Sequence, residues 1–300
     1  MYADRGLLPR KPGFSDNPRE KRRFYGIEIS FNVFLASEVK FRHNASDSVL
    51  EIYYCRSGRV GWNMQGGTAV YLGAGDVTAH SMACCADSAM LFPLGYSEGI
   101  SISVDLKQLS SICPEVLKNA GVEANLLQDR FCSGKPSAIP SCSDLEHIFA
   151  PLFSAPVSVR ISLLKLKVLE ILIYLSNMKL EHKELTQYFS QQTELIKEIH
   201  QQLTEHLDQR FTIAELSKQY LINTSTLKEI FKAVYGQPIA TYMKEFRVRQ
   251  AMKLLRETND TIADIASQVG YQTQGKFSSA FQSIVKMSPR EYRKIQGIQK

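Results

Sequence analysis

The spacing of apolar residues changes character along the chain and divides it in two. From Phe24 to about Leu106 the pattern is short and alternating. Ile100, Ile102 and Val104 alternate with Ser101 and Ser103, the period of a half-buried strand. The same reading predicts strands at 26–34, 49–56, 60–64, 68–72, 77–80, 90–94 and 100–104. Turn signals separate them at Ser57-Gly58, Gln65-Gly66-Gly67, Gly73-Ala74-Gly75-Asp76, Pro93 and Gly95. Strands this short, with turns this frequent, predict a β-sandwich or small barrel. From Ser110 to Lys183 the period becomes helical, with short helices expected at 114–120 and 142–153. Ile161, Leu164, Val168, Ile171, Leu175 and Met178 follow at spacings of 3, 4, 3, 4 and 3, a heptad seam. Leu163, Leu166 and Leu169 add apolar surface on another side. Two apolar faces exceed what one packing contact requires, so the seam is expected to join two subunits. The alternative is a helix buried within one subunit.

Residues 181–192 are polar and read as a linker, after which the helical period returns. Leu195, Ile196, Ile199, Leu203 and Leu207 line one face of a helix at 193–207. Farther on, the stretch 261–293 reads as a helix, a tight turn and a second helix. Ile262, Ile265, Ala266 and Val269 recur at helical spacing, with Thr261 as cap and Asp264 three residues on. Gly270 can take the positive φ that ends a helix sharply. The second helix buries Phe277, Ala280, Phe281, Ile284 and Val285, and its other face carries Gln274, Lys276, Ser278, Ser279, Gln282 and Lys286. Ser288, Pro289 and Glu291 make a capping box for a last short helix.

This unit occurs twice. Thr212-Ile213-Ala214-Glu215-Leu216-Ser217-Lys218-Gln219 matches Thr261-Ile262-Ala263-Asp264-Ile265-Ala266-Ser267-Gln268, and Leu227, Ile230 and Phe231 match Phe277, Ala280 and Phe281. Between the units a helix is expected at 239–256, anchored by Tyr242, Phe246, Met252, Leu254 and Leu255. Its length, about 27 Å at 1.5 Å per residue, suits two recognition helices set about one DNA turn apart, roughly 34 Å.

Charge sharpens the picture. The formal net charge is +6. Residues 193–300 hold 16 Lys and Arg against 11 Asp and Glu, and the rest of the chain is nearly balanced at 20 against 19. The basic excess therefore sits in the repeat half, as a phosphate-facing module requires. Three hundred residues suggest two domains. The first 14 residues lack the apolar core of a secretory signal, and the apolar stretch 161–175 is broken by Lys165, Lys167 and Glu170, so no membrane span is expected. Six cysteines without metal-ligand spacing read as reduced thiols in a cytoplasmic protein.

Three motifs, IAELSKQYLINTSTLKEIFKAVYG, FRVRQAMKLL and IADIASQVGYQTQGKFSSAFQSIVKMSPREYR, occur together and in order. Through them residues 193–296 resemble the DNA-binding domain of the AraC/XylS family of transcription regulators. The resemblance covers about a third of the chain. It implies a seven-helix, two-lobed reader of consecutive major-groove segments in double-stranded DNA. It maps the base-reading face of the first recognition helix onto Ser225, Thr226, Lys228 and Glu229, with Thr224 starting that helix and Lys232 able to reach phosphate. In the second unit the corresponding positions are Gln274, Gly275, Lys276 and Ser279, with Thr273 beside them as a further DNA-binding residue. Gln pairs with adenine, Lys with guanine and Glu with the amino group of cytosine, while hydroxyls are promiscuous. The short side chains at Ser225 and Gly275 depart from the commoner family pattern, a large or basic residue in the first turn. Contacts there are expected to be fewer or water-mediated.

The stretch LEIYYCRSGRVGWNMQGGTAVYLGAGDV looks like a cupin-type barrel, on the strength of Glu51, Gly58 and the Gly75-Asp76 turn. Together these imply an α+β chain of three parts: a flexible arm at 1–23, a cupin-like sensor with its helical dimerisation segment at 24–185, and the all-α double helix-turn-helix domain at 193–296. Glu51, Tyr53, Trp62 and Tyr71 are the candidate effector pocket, with ordinary barrel packing as the alternative. Ile161, Leu164, Val168, Ile171 and Leu175 are the candidate dimer contacts. The expected partners are DNA, RNA polymerase, a small-molecule effector and a second copy of the chain. No cofactor or metal is expected. Of the first half of a cupin metal site only His43 and Glu51 are in place, and His80 falls at the wrong offset. A cupin enzyme, a reactive-cysteine methyl acceptor and an effector-free DNA binder are the competing functions. The scattered cysteines disfavour the second.

Overall fold

The structure, a computed structural model, describes residues 21–40, 45–64, 67–85, 88–133, 136–178 and 185–296. Residues 1–20 of the expected arm, His43, the Gln65-Gly66 turn and the start of the expected linker lie outside the described residues. The chain divides into two compact units, 1–187 and 188–300.

The first unit is built on two antiparallel sheets. Its strands are β1 (Lys21–Phe24), β2 (Ile27–Phe34), β3 (Glu38–Lys40), β4 (Val49–Gly58), β5 (Val60–Met64), β6 (Thr68–Leu72), β7 (Val77–Ser81), β8 (Ala89–Leu91), β9 (Ser97–Asp105) and β10 (Ser137–Ile139). The larger sheet has the order β1-β2-β9-β4-β7-β10, and the smaller places β6, β5, β8 and β3 side by side. The period-2 pattern decides what each face meets. On β4 and β9, Leu50, Ile52, Tyr54, Ile100, Ile102 and Val104 pack against helices α1 (Leu106–Ser111), α2 (Glu115–Asn119), α3 (Ala124–Phe131), α4 (Ser143–Ser154) and α5 (Arg160–Asn177). The opposite face sends Tyr53 and Cys55 into a second core with Val60, Trp62, Val70, Leu72 and Phe92.

Two expectations are corrected here. Residues 21–23 do not belong to an arm: β1 pairs with β2 from Lys21↔Ser30 to Phe24↔Ile27. The heptad seam does not face a second subunit. Leu164, Val168, Ile171, Leu175 and Met178 are buried in the chain's own core beside Leu127, Phe131 and Leu145. A 3,4-spaced stripe marks any helix with one buried side, and here the helices under the larger sheet fill it. Ile161, at 51% exposed, is the one seam position left outside, and Leu166, at 64%, lies off the seam. Arg130 completes the end of α5 by donating to the carbonyls of Leu175, Ser176 and Met178, which no intrahelical amide reaches.

The second unit is helical: α6 (Ser190–Glu205), α7 (Ile213–Gln219), α8 (Thr224–Tyr235), α9 (Ile239–Glu257), α10 (Ile262–Gln268), α11 (Gln274–Val285) and α12 (Pro289–Gln296). Its first helix begins within the expected linker, at Ser190. Buried residues of α6, α7 and α8 include Ile196, Ile199, Leu203, Leu216, Leu227, Ile230 and Phe231. A second core joins Val248, Ala251 and Leu255 of α9 to Ile265, Ala266, Phe277, Phe281 and Tyr292. Helix α9 touches both sets, so one rod carries two lobes. Of its expected anchors Tyr242 and Leu255 are buried, Met252 and Leu254 pack partly buried against the second core, and Phe246 meets the rings of His200 and Tyr242; Val248 and Ala251 add buried positions beyond those expected.

Candidate nucleic-acid interface

Each lobe repeats one construction, and its local chemistry explains why. Thr212 caps α7: its hydroxyl accepts from the Glu215 amide at 3.2 Å, and the Glu215 carboxylate accepts from the Thr212 amide at 2.7 Å. Thr261 and Asp264 do the same for α10, at 3.1 and 3.2 Å. Two otherwise orphaned amides are satisfied at each helix start. These hydrogen bonds hold the Glu215 carboxyl below its ordinary pKa. After α10 the chain turns at Gly270, whose φ is +80°. A Cβ there would lie 1.9 Å from the Leu207 carbonyl oxygen. No side chain fits, and the turn delivers α11 at a fixed angle.

The second helix of each pair is capped in its turn. Asn223 accepts from the Ser225 amide at 2.8 Å, and Thr273 accepts from the Lys276 amide at 3.3 Å. Leu227, Ile230, Phe231, Phe277 and Phe281 are fully buried, so the rotation of each helix about its axis is fixed. That rotation leaves Thr224, Ser225, Lys228, Glu229 and Lys232 exposed on α8, with Thr226 half-buried. On the second unit Thr273, Gln274, Gly275, Lys276 and Ser279 are all exposed. Three of the named groups already have partners. The Ser225 hydroxyl donates to Asn223, Glu229 accepts from Tyr188 at 3.3 Å, and Thr273 is occupied as a cap. Open space surrounds a Cβ built on Gly275.

Sequence reasoning missed the way α9 is tied to the second lobe. Arg247 donates to the Gly270 carbonyl at 2.8 Å and to the Gln209 carbonyl at 3.0 Å. Its position was legible only as one arginine in a basic connector. His200 was missed as well. It stacks on Tyr235 with ring centroids 4.3 Å apart, and its Nε2 lies 2.8 Å from the Tyr242 hydroxyl.

In the first unit the four candidate pocket residues do not converge. Trp62 meets Tyr53 edge to face at 5.1 Å, inside the core between the sheets. Glu51 shares that face of β4, being two residues from Tyr53. Tyr71 does not join them. Val70 and Leu72 point into that core, and Tyr71 lies on the other side of β6, its ring covering Gly61. His80 stands directly opposite Glu51 in the β4–β7 register, on the same face. The cross-strand partner of Glu51 is therefore His80, found by register rather than by motif offset. All six cysteines are free, and burial pushes the Cys85 thiol up to about 12 and the Cys55 thiol up to about 11. Among the described residues no helix is long and apolar enough to cross a membrane.

Comparison with known proteins bears on the repeat half. A family model described as a helix-turn-helix domain matches residues 216–295. The transcriptional activator RhaR of Mannheimia succiniciproducens is 34% identical over 91 residues, 30% of this chain and 33% of that protein. The melibiose operon regulatory protein of Escherichia coli is 31% identical over 93 residues, 31% of each chain. The match thus spans about a third of the length of these relatives. A solved transcriptional regulator from Chromobacterium violaceum, described as containing an AraC-type DNA-binding domain, aligns with 37% of this chain and 99% of its own. Its identity is 20% and its TM-score 0.33, and at that score the likeness adds nothing to the sequence match. With two capped helix pairs on one connecting helix, residues 216–295 form a helix-turn-helix domain similar to those of AraC-type transcription regulators.

Proposed function

We propose that this chain is a sequence-specific regulator, of the activating kind, whose α8 and α11 enter consecutive major-groove segments of double-stranded DNA. The observation that carries the reading is the matched exposure of two polar helix faces over two matched apolar cores. In this reading 193–296 is the DNA-binding domain and 24–185 the sensor. Lys228, Lys232, Gln274, Lys276 and Ser279 make the direct contacts. Thr224, Thr226 and Gly275 line the approach, and Ser225, Glu229 and Thr273 act through the partners they hold. RNA polymerase is the expected protein partner of a DNA-bound activator, and the cytoplasm its place of action.

A small-molecule effector is assigned to the space between the sheets, which form a cupin-like sensor in this reading. Glu51, His80, Tyr53 and Trp62 supply its polar and aromatic lining, and Tyr71 is left out. Coupling requires that the effector bind two states of the protein with different affinity. A pair of copies remains part of the reading, with the exposed Val159, Ile161 and Leu166 in place of the buried seam. Gel-shift titration of the full chain tests the DNA assignment. Gln274→Ala and Lys276→Ala should each weaken specific binding by about 1–3 kcal/mol. Unchanged affinity in both variants would remove α11 from the interface.

A further inference from the structure

Beside α9 lies a cleft that base reading does not use. Its volume is about 400 Å³, within the roughly 300–1,000 Å³ of small-molecule sites. Ala240, Met243, Lys244 and Arg247 form one wall, a stripe at i, i+3, i+4 and i+7 along the helix. The other wall comes from Arg210, from Tyr271 after the Gly270 turn, and from Ala280 of α11. Two chemistries meet here. Met243, the two alanines and the tyrosine ring are apolar. Three cations stand over them, and no carboxylate is among the lining residues. Among the described residues neither Arg210 nor Lys244 is in an ion pair. Arg247 is anchored through both Nη atoms, and its buried Nε–H has no hydrogen-bond partner. Burial lowers the pKa of Arg247, Tyr271 opposes that shift, and the nearby Arg210 adds to it. Like charges gathered beside an apolar surface are relieved by an anion between them.

We propose that this cleft is a ligand site for a compact amphipathic carboxylate, distinct from the base-reading faces of the recognition helices and from the space between the sheets. The carboxylate would sit between Arg210 and Lys244, which both line the cleft and offer guanidinium and ammonium donors. Its aryl or branched-alkyl body would cover Met243, Ala240, Ala280 and the ring of Tyr271. A DNA phosphate would satisfy the cations but leave that apolar floor in water, so the smaller, greasier anion fits better. Such a ligand touches the connecting helix, the Gly270 turn and the second recognition helix at once. It would hold α11 against α9 and so bias how the second lobe meets its DNA segment.

Calorimetric titration of the full chain with 4-tert-butylbenzoate tests this. Saturable binding of one molecule per chain is expected, with 4-tert-butylbenzamide at least tenfold weaker. Arg210→Gln with Lys244→Gln, and separately Ala240→Trp, should each weaken it at least tenfold. The ε-methyl resonance of Met243 in the wild-type chain should move during the titration, a reading that does not depend on any variant folding. Absence of saturable binding, or an unmoved Met243 methyl, overturns the proposal. So does undiminished binding in folded variants, which places the ligand elsewhere. Inorganic phosphate binding as tightly as the carboxylate would overturn it too, because the cleft would then be a plain anion site. A tenfold loss of DNA affinity in the unliganded double variant would assign these cations to the DNA backbone instead.

Discussion

Acidification should weaken the first helix-turn-helix lobe in a window set by one histidine. His200 of α6 lies among Phe231, Tyr235, Tyr242 and Phe246. Burial pushes its pKa down from 6.5 to about 4. Above pH 6.5 the imidazole is neutral in both folded and unfolded chains and costs nothing. Between 6.5 and about 4 the unfolded chain takes up a proton that the folded lobe refuses, so stability falls with pH. Below about 4 both states are protonated and the loss stops growing. At about 1.4 kcal/mol per pKa unit the full loss is about 3 kcal/mol. Glu215 acts in the same lobe with the depressed pKa of an acid, so its contribution is lost only as pH falls below about 4.5. Urea unfolding of the wild-type chain and of His200→Gln, from pH 7.5 down to 4.5, isolates the histidine. The wild type should lose most of the 3 kcal/mol across that range and the variant little. Parallel pH dependence in the two proteins, or an imidazole NMR titration of His200 near 6.5, would refute the reasoning.

Three other outcomes follow from the packing. Gly270→Ala places a Cβ against the Leu207 carbonyl at positive φ, costing at least about 1–2 kcal/mol, and faster hydrogen exchange should appear in α10 and α11 rather than α7 and α8. Thr261→Ala removes the α10 cap and should cost about 1 kcal/mol, read as a lowered unfolding midpoint of the second lobe with α7 unaffected. Val168→Glu with Ile171→Glu buries two unpaired charges at positions under 2% exposed, so the first unit should fail to fold. A soluble, folded monomer from a wild-type dimer would restore the seam as an intersubunit contact.

Legibility differed between the halves for physical reasons. Val60–Met64 and Thr68–Leu72 were read to the residue because alternation and flanking turns agree there. The three-residue strands Glu38–Lys40 and Ser137–Ile139 escaped notice, since three residues carry no measurable period. In the repeat half, caps and core positions are local: Thr212, Thr261 and Ser288 each signal through a partner three residues away. The direction of the α5 stripe is not local. Periodicity identifies a buried face but not what buries it, and α3 and α4 supply the cover. The same limit hid the facing of Tyr71, the Glu51–His80 pairing and the cleft at Arg247. Each depends on residues distant in sequence being brought side by side.

Selection of binding sites from a random DNA pool by the full chain, read by sequencing, tests the two-lobed reading most directly. The account predicts an enriched site with two blocks of specified bases about 10 base pairs apart, one helical turn. Gln274→Ala with Lys276→Ala should blur one block and leave the other intact. A pool without enrichment, or a single block indifferent to those substitutions, would contradict the claim that α8 and α11 read consecutive segments.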